Sequence, residues 1–314
     1  MISDELLSYL WCPLCKGVLK IKDKLLICNR CRSSFRVIGD NTIDFLKSAN
    51  SKRWQNDKEI SFKSWDSIYK KWLVSNGWRE KWEEYKCLYL DDTVSQLFAC
   101  KLRDKKVFLE IGCGPCFLGC ELAKHFEIVI GVDFSREALK IAQRVFENRK
   151  ISNFLLLCSD LTQMPIVSDR IDLIYGGGVI EHFRNPQTVI EELYRVLRAD
   201  GVAFNTVPYL NLASLTYRQY WGNIPNFPLM KQIAEFIHLK LLRARHMRFG
   251  YEYSFTKTYL RRLHRKVGFS EVKIDRFNVA LKVELLPRFC RYLVSYLSNR
   301  LPLFWPMIKV VAKK

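Results

Sequence analysis

The sequence predicts an α/β protein: a doubly wound, mostly parallel sheet of seven strands, preceded by a small cysteine-rich domain. Three observations lead there. From residue 106 onward, short apolar runs alternate with amphipathic helical segments. The first of those runs, VFLEI, opens onto a turn with glycines at 112 and 114. Residues 1–48 hold two CxxC pairs in a stretch too short to bury a sufficient core of its own.

The seven strands read in order as KVFLEI, EIVIGV, NFLLLC, RIDLIYG, VAFNTVP, SEVKIDRF and MIKVVAKK. Between them CFLGCELAKHF reads as a helix, and Ser135 caps a second, SREALKIAQRVFEN. NPQTVIEELYRVLR is a third, stopped by ADG, and FTKTYLRRLHRKVGF a fourth, ending at Gly268. Such alternation implies parallel strands with helices on both faces. Residues 49–100 carry aromatic residues at helical spacing and read as a helical linker or lid. An insertion occupies about 209–254, and an amphipathic, Arg-studded segment about 281–306.

The 314 residues are 49% hydrophobic and 26% charged, as in globular proteins of one large or two smaller domains. The formal net charge of +19 favours phosphate-bearing partners: nucleic acid, an anionic membrane or a phosphorylated small molecule. MISDELLSYLWCP has no basic leader and too short an apolar run for a secretory signal. No uncharged run of about 18 residues suggests a spanning helix. The expected location is cytoplasmic, and the eleven cysteines are read as metal ligands or free thiols rather than disulfides.

Glycines at 112 and 114 let the chain turn sharply and bring backbone amides close to a ligand, at the positive end of the following helix. Asp133 lies 21 positions beyond Gly112, the spacing of a carboxylate that accepts from a ribose diol. Phe117 stands where the dinucleotide fingerprint has its third glycine. Glu110, just before the turn, would repel a pyrophosphate and suit a ligand carrying an ammonium and a sulfonium, as S-adenosylmethionine does.

In order, LEIGCGPC, GVDFS, CSDLTQMP, DLIYGGGVIEH, NPQTVIEELYRVLRADG and YSFTKTYLRRLHRKVGF resemble the class I S-adenosylmethionine-dependent methyltransferases, with their Rossmann-like sheet. The likeness runs over about residues 100–275 and is nearest the type 11, small-molecule branch, which includes ubiquinone-pathway, glycan and lipid enzymes. It implies that Glu110, Gly112 and Gly114 surround the methionine part of the cofactor, and that Asp133 holds the ribose with Phe134 against the adenine. It further implies that Asp160 meets the adenine amine beside Leu161, and that Gly176 and Gly177 lie along the methionine moiety. Cys116 departs from the small residue often found after the turn.

Methyl transfer from a sulfonium is an in-line displacement, so the protein mainly aligns donor and acceptor and removes a proton. His182, just after the fourth strand, is the candidate general base; the alternative is a structural Glu181-His182 turn. Gly178 occupies the position where some quinol O-methyltransferases carry an acidic metal-binding residue, so no catalytic metal is expected. Tyr209, Tyr217, Tyr220 and Trp221 are candidates for an acceptor pocket, or for packing of the insertion.

Cys12, Cys15, Cys28 and Cys31 form C-x2-C-x12-C-x2-C, a spacing that places four thiolates around one structural zinc ion. The block resembles the Trm112-like zinc ribbons, small partners of methyltransferases, here fused in cis. Cys113, Cys116 and Cys120 have the reverse spacing of a radical S-adenosylmethionine motif and are read as buried thiols. Arg243, Arg245, Arg248, Arg261, Arg262, Arg265 and Lys266 cluster late in the chain. They suit a solvated face, peripheral contact with a membrane or lipid-linked acceptor, or RNA, for which no reading motif is present. The sequence thus predicts methyl transfer to a small-molecule, lipid or glycan-type acceptor through O or N. The alternatives are an rRNA or tRNA methyltransferase, and a non-catalytic zinc-ribbon module with a degenerate domain.

Overall fold

The computed structural model describes residues 2–46, 58–100, 106–216, 219, 222–247, 250–277 and 288–314. A short helix α1 (Asp4–Leu7) leads into an antiparallel meander of β1 (Leu19–Lys22), β2 (Leu25–Cys28), β3 (Ser34–Gly39) and β4 (Thr42–Asp44). Helices α2 (Lys58–Ser75), α3 (Trp78–Tyr85) and α4 (Asp91–Phe98) follow. Then come β5 (Val107–Ile111), α5 (Phe117–Leu122), β6 (Ile128–Asp133), α6 (Arg136–Asn148), β7 (Phe154–Cys158), β8 (Ile171–Gly177), α7 (Pro186–Val196) and β9 (Leu197–Pro208). The insertion holds α8 (Leu212–Leu215), β10 (Asn223–Pro225), α9 (Pro228–Glu235) and β11 (Glu252–Ser254). The chain closes with α10 (Lys257–Val267), β12 (Glu271–Phe277), α11 (Arg288–Arg300) and β13 (Met307–Lys313).

All seven expected strands are present, in the order β7-β6-β5-β8-β9-β13-β12. The first five are parallel, and β13 runs antiparallel to both its neighbours. β5, β6 and β7 are buried along their whole length, which is why they read as continuous apolar runs. Strand alternation divides them between two cores: Val107, Leu109 and Ile111 face one, Phe108 the other. Ser135 caps α6 by accepting from the Ala138 amide at 3.2 Å, and Ala138, Leu139, Ile141, Ala142, Val145 and Phe146 are buried at helical spacing. Thr256 caps α10 in the same way, and Gly268 ends it at φ +122°.

Helix α7 stops earlier than the sequence suggests. The Arg195 and Val196 carbonyls accept from the Asp169 and Arg170 amides, and Leu197 turns extended to pair with Ile171. Ala199-Asp200-Gly201 therefore lies within β9 rather than ending a helix, with Asp200 at φ +64°.

The cysteine block does not stand apart from the sheet. Strand β4 pairs in parallel with β7, Thr42 opposite Leu156 and Asp44 opposite Cys158, giving eleven strands in one sheet. Its core is continuous too: Leu26, Phe35 and Ile43 share an apolar cluster with Leu155 and Ile166. Arg136, at the start of α6, grips the buried Asp44 carboxylate with both arms, Nε to Oδ2 at 2.8 Å and Nη2 to Oδ1 at 3.2 Å. Trp11 donates its amide to the Pro165 carbonyl, and its ring lies between Lys16 Nζ at 5.1 Å and the Arg195 guanidinium at 4.7 Å.

Arg136→Met should leave Asp44 without its cation and lower stability by about 1–3 kcal/mol, the partial exposure of Arg136 keeping the loss moderate. Thermal melts check this. The double variant with Asp44→Asn should lose less than Arg136→Met alone.

Candidate active site

The carboxyl ends of β5, β6, β7 and β8 meet where strand order reverses between β5 and β8, the place at which open α/β sheets bind ligands. A cleft, open in part to solvent, lies there. Gly112 follows β5, Asp133 ends β6, and Phe134 comes next in the chain. Ser159, Asp160 and Leu161 follow β7. Gly177, at the end of β8, with Gly178, Val179, His182 and Phe183 beyond it, forms the opposite wall. Trp65 and Tyr69 reach in from α2, stacked with centroids 5.7 Å apart.

Asp133 organises this cleft. Its Oδ2 accepts from the Gly114 amide and its Oδ1 from the Ser135 amide, both at 2.8 Å. With the Phe134 amide also acting on the carboxylate, part of its acceptor capacity is left for a hydroxyl. Burial raises its pKa from the usual 3.8 to about 6, although three backbone amides pull the other way. Gly112 and Gly114 both take positive φ, +54° and +51°. A Cβ on Gly112 would lie 2.6 Å from Val179, and one on Gly114 2.6 Å from the Tyr69 hydroxyl. Both glycines are therefore demanded by conformation and by close approach.

Among the residues singled out from sequence, Gly112, Asp133, Phe134, Asp160, Leu161, Gly177 and His182 line one cleft. Glu110, Gly114 and Gly176 do not. Gly114 lies in the turn that Asp133 holds, and Gly176 lies inside the sheet against Asn205. Glu110 departs most from expectation. Strand alternation puts it on the Phe108 face, beneath α5, where its Oε2 accepts from the Gly119 amide at 2.7 Å and from Cys116 Sγ at 3.4 Å. It braces the turn from behind rather than facing a ligand. Burial raises its pKa from 4.5 to about 7.

His182 sits in the short helical turn Ile180–His182. Its Nδ1 lies 2.7 Å from the Tyr251 carbonyl oxygen, which only accepts. Nδ1 thus carries the proton and the neutral ring keeps its lone pair on Nε2. Burial lowers its pKa from 6.5, against the opposing pull of Glu252 and of the Tyr251 and Gly178 backbone. Asp160 takes the Thr162 amide and hydroxyl on Oδ1, each at 2.9 Å, which fixes the loop after β7.

Trp65, Tyr69, Ser159, Val179 and Phe183 also line the cleft, beyond the residues singled out from sequence. The signal for the first two was present, two aromatics four apart, but that spacing equally describes a packed helix. Tyr209 packs on Trp305 at 6.3 Å and is not a cleft residue. Tyr217, Tyr220, Trp221 and Arg248 lie outside the described residues. Arg261, Arg262, Arg265 and Lys266 are exposed on α10.

In the cysteine block, the sulfurs of Cys12, Cys15, Cys28 and Cys31 all lie within 4.8 Å of one another. Cys12 to Cys31 is 3.6 Å and Cys15 to Cys28 is 3.4 Å. A tetrahedron with Zn–S bonds of about 2.3 Å has edges of about 3.8 Å, so the donor set fits zinc. Gly17 leaves room for it: a Cβ there would lie 2.9 Å from Cys28 Sγ. Among the described residues this is the one metal-competent group. Cys113, Cys116 and Cys120 are buried, and burial pushes the Cys113 and Cys120 thiols up to about 11.

Comparison with known proteins agrees with this architecture. Residues 109–205 match the family described as methyltransferase domain. A ubiquinone biosynthesis O-methyltransferase of Coxiella burnetii is 30% identical over 116 residues, 37% of this chain and 49% of that protein. The chain thus matches about half the length of such curated relatives. A demethylmenaquinone methyltransferase of Lactobacillus johnsonii is 24% identical over 66% of this chain and 79% of its own. A chain from the complex between the Haloferax volcanii Trm112 methyltransferase activator and a methyltransferase superposes with TM-score 0.52. That match has 14% identity and covers 78% of this chain and 96% of the other. At that identity it speaks for the fold alone.

Because Glu110 holds its proton longer folded than unfolded, it should cost stability as pH rises from about 4.5 to about 7. Glu110→Gln keeps an acceptor for Gly119 and should flatten that fall by ~2–3 kcal/mol. Urea denaturation at several pH values checks it; parallel wild-type and variant profiles would contradict it.

Proposed function

For a chain whose residues 109–205 carry a methyltransferase domain, we propose the activity of an S-adenosylmethionine-dependent methyltransferase acting on O or N of a small-molecule, lipid or glycan-type acceptor. The observation that carries this reading is the doubly held Asp133 carboxylate in a cleft that also presents Asp160, Phe134 and His182. The cofactor supplies a methyl group on a sulfonium that is already an activated leaving group. Asp133 would accept from the ribose hydroxyls with the acceptor capacity its backbone partners leave. Phe134 and Leu161 would flank the adenine, and Asp160 would accept from its amine. The backbone of Gly112 and Gly177 would receive the methionine part. Glu110 acts through the turn it braces and is a positioning residue in this reading.

His182 is the proposed base. Its Tyr251 partner fixes the tautomer, and its lowered pKa keeps the ring unprotonated near pH 7. Trp65 and Tyr69 would exclude water and give the acceptor an apolar wall. The names of the relatives, ubiquinone and demethylmenaquinone methyltransferases, favour a small-molecule acceptor over RNA. In the N-terminal block, the four cysteines would hold one structural zinc ion, fixing the two CxxC turns to each other.

Calorimetry should detect S-adenosylmethionine binding to the wild type, weakened at least about 100-fold by Asp133→Ala through loss of charge-assisted hydrogen bonds to the ribose. Complete absence of binding to the wild type would remove the proposal. His182→Ala should bind the cofactor as the wild type does, yet slow methyl transfer by about 10²–10⁴-fold once an acceptor is in hand. Elemental analysis should find one zinc per chain, lost in a Cys12→Ser, Cys28→Ser double variant. A folded wild-type protein free of zinc would refute the metal assignment.

A further inference from the structure

The insertion after β9 turns large apolar side chains outward. Helix α9 and the π-helical turn Phe236–Leu241 that continues it bury Ala234 and His238. His238 faces inward, bonded to His246 at 2.9 Å and to Gln219 at 2.8 Å, and Glu235 accepts from the Tyr251 hydroxyl. The apolar side faces out: Leu229, Ile233, Phe236 and Leu241 are 66, 53, 58 and 67% exposed. A helix packed on a core shows the reverse arrangement. Among the described residues, fourteen of the twenty exposed large hydrophobic side chains fall between 212 and 303, so the feature belongs to one region rather than to the surface at large.

That region is contiguous. The insertion leaves β9 at Pro208, and α11 returns to β13 at Met307, its register partner. Asn211 joins the two by donating to the Pro302 and Trp305 carbonyls. On α11, Tyr292, Leu293 and Tyr296 are also exposed. Both segments lie at the carboxyl edge of the sheet, where the cleft is, and Tyr251 ties the insertion to His182. The charge is one-sided. Residues 209–248 hold six Lys and Arg against one acid, Glu235, and 288–306 hold three Arg and no acid. Lys240, Arg243 and Arg245 are exposed beside the apolar stripe.

We propose that this apolar, cationic face docks the protein on an anionic lipid bilayer, with α9 lying in the interface. Exposed apolar side chains enter the headgroup boundary, and the flanking cations meet anionic headgroups. Long Lys and Arg stems suit that position because they keep the charge in water while the stem stays apolar. No helix among the described residues is long and apolar enough to cross the membrane, so contact is from one side. The face does not depend on the methyl-transfer reading, and cofactor binding tests that separately.

The experiment is co-sedimentation of the full chain with vesicles of phosphatidylcholine alone and with phosphatidylglycerol added. Binding should require the anionic lipid, weaken with salt, and fall about tenfold or more for Ile233→Glu and for Phe236→Glu. Both side chains point to solvent, so folding and S-adenosylmethionine calorimetry should be unchanged. Three results would overturn the proposal. One is wild-type protein that stays in the supernatant with anionic vesicles. Another is a wild-type dimer, without vesicle binding, that Ile233→Glu dissociates. The third is a salt-dependent RNA shift abolished by the same variants in the absence of vesicle binding. Loss of cofactor binding with vesicle binding intact would count only against the methyl-transfer reading.

Discussion

A carboxylate at the end of β6 holds the cleft in shape. Asp133 takes the Gly114 amide from one loop and the Ser135 amide from another. Two backbone segments that would otherwise be independent are thereby fixed to one side chain. The consequences spread outward. With Gly114 held, the turn keeps the positive φ that only glycine adopts cheaply, and Tyr69 closes against it. Once Ser135 is placed, its hydroxyl caps α6 and donates to Asp66 on α2 at 2.8 Å. The helix that walls the cleft is thus tied to the same point.

Burial of this carboxylate is costly when it is charged, as its raised pKa records. Glu110 nearby adds a second buried acid; burial above all, and then nearby acids including Glu110, hold the Tyr69, Tyr85 and Tyr175 hydroxyls in their neutral forms. Strain and buried charge collect at the turn and strand ends that line the cleft, as happens at functional sites. Cys116 belongs to the same pattern. It takes a left-handed conformation at the start of α5 and donates its thiol to Glu110.

The cysteine block and the parallel sheet are joined into one sheet. A parallel strand pair, a bidentate Arg136–Asp44 ion pair and a ring held between two cations join them. The β4–β7 pairing covers what would otherwise be an open sheet edge, a common liability of parallel sheets. It also places β4 beside β7, whose following loop carries Ser159, Asp160 and Leu161 into the cleft.

Local chemistry was enough to read much of this. Apolar runs buried on both faces announced β5, β6 and β7, Ser135 announced its helix, and two CxxC pairs announced a four-thiolate cluster. Gly112, Asp133 and Asp160 could be placed because strand ends and turns have short-range signatures. Where a side chain points was another matter. Glu110 turned away from the cleft because a period of two, counted from Phe108, set its face, and only the packed α5 gave that face a meaning. Trp65 and Tyr69 reach the cleft across some forty residues of chain, and nothing in their own helix says which neighbour they will meet. The outward apolar stripe of α9 has the same spacing as a buried one. The sequence by itself determined which segments are strands, helices and metal-binding turns, because those depend on neighbours a few residues away. Only the tertiary structure decided which faces are buried and which side chains share a cleft, because contacts between distant segments set both.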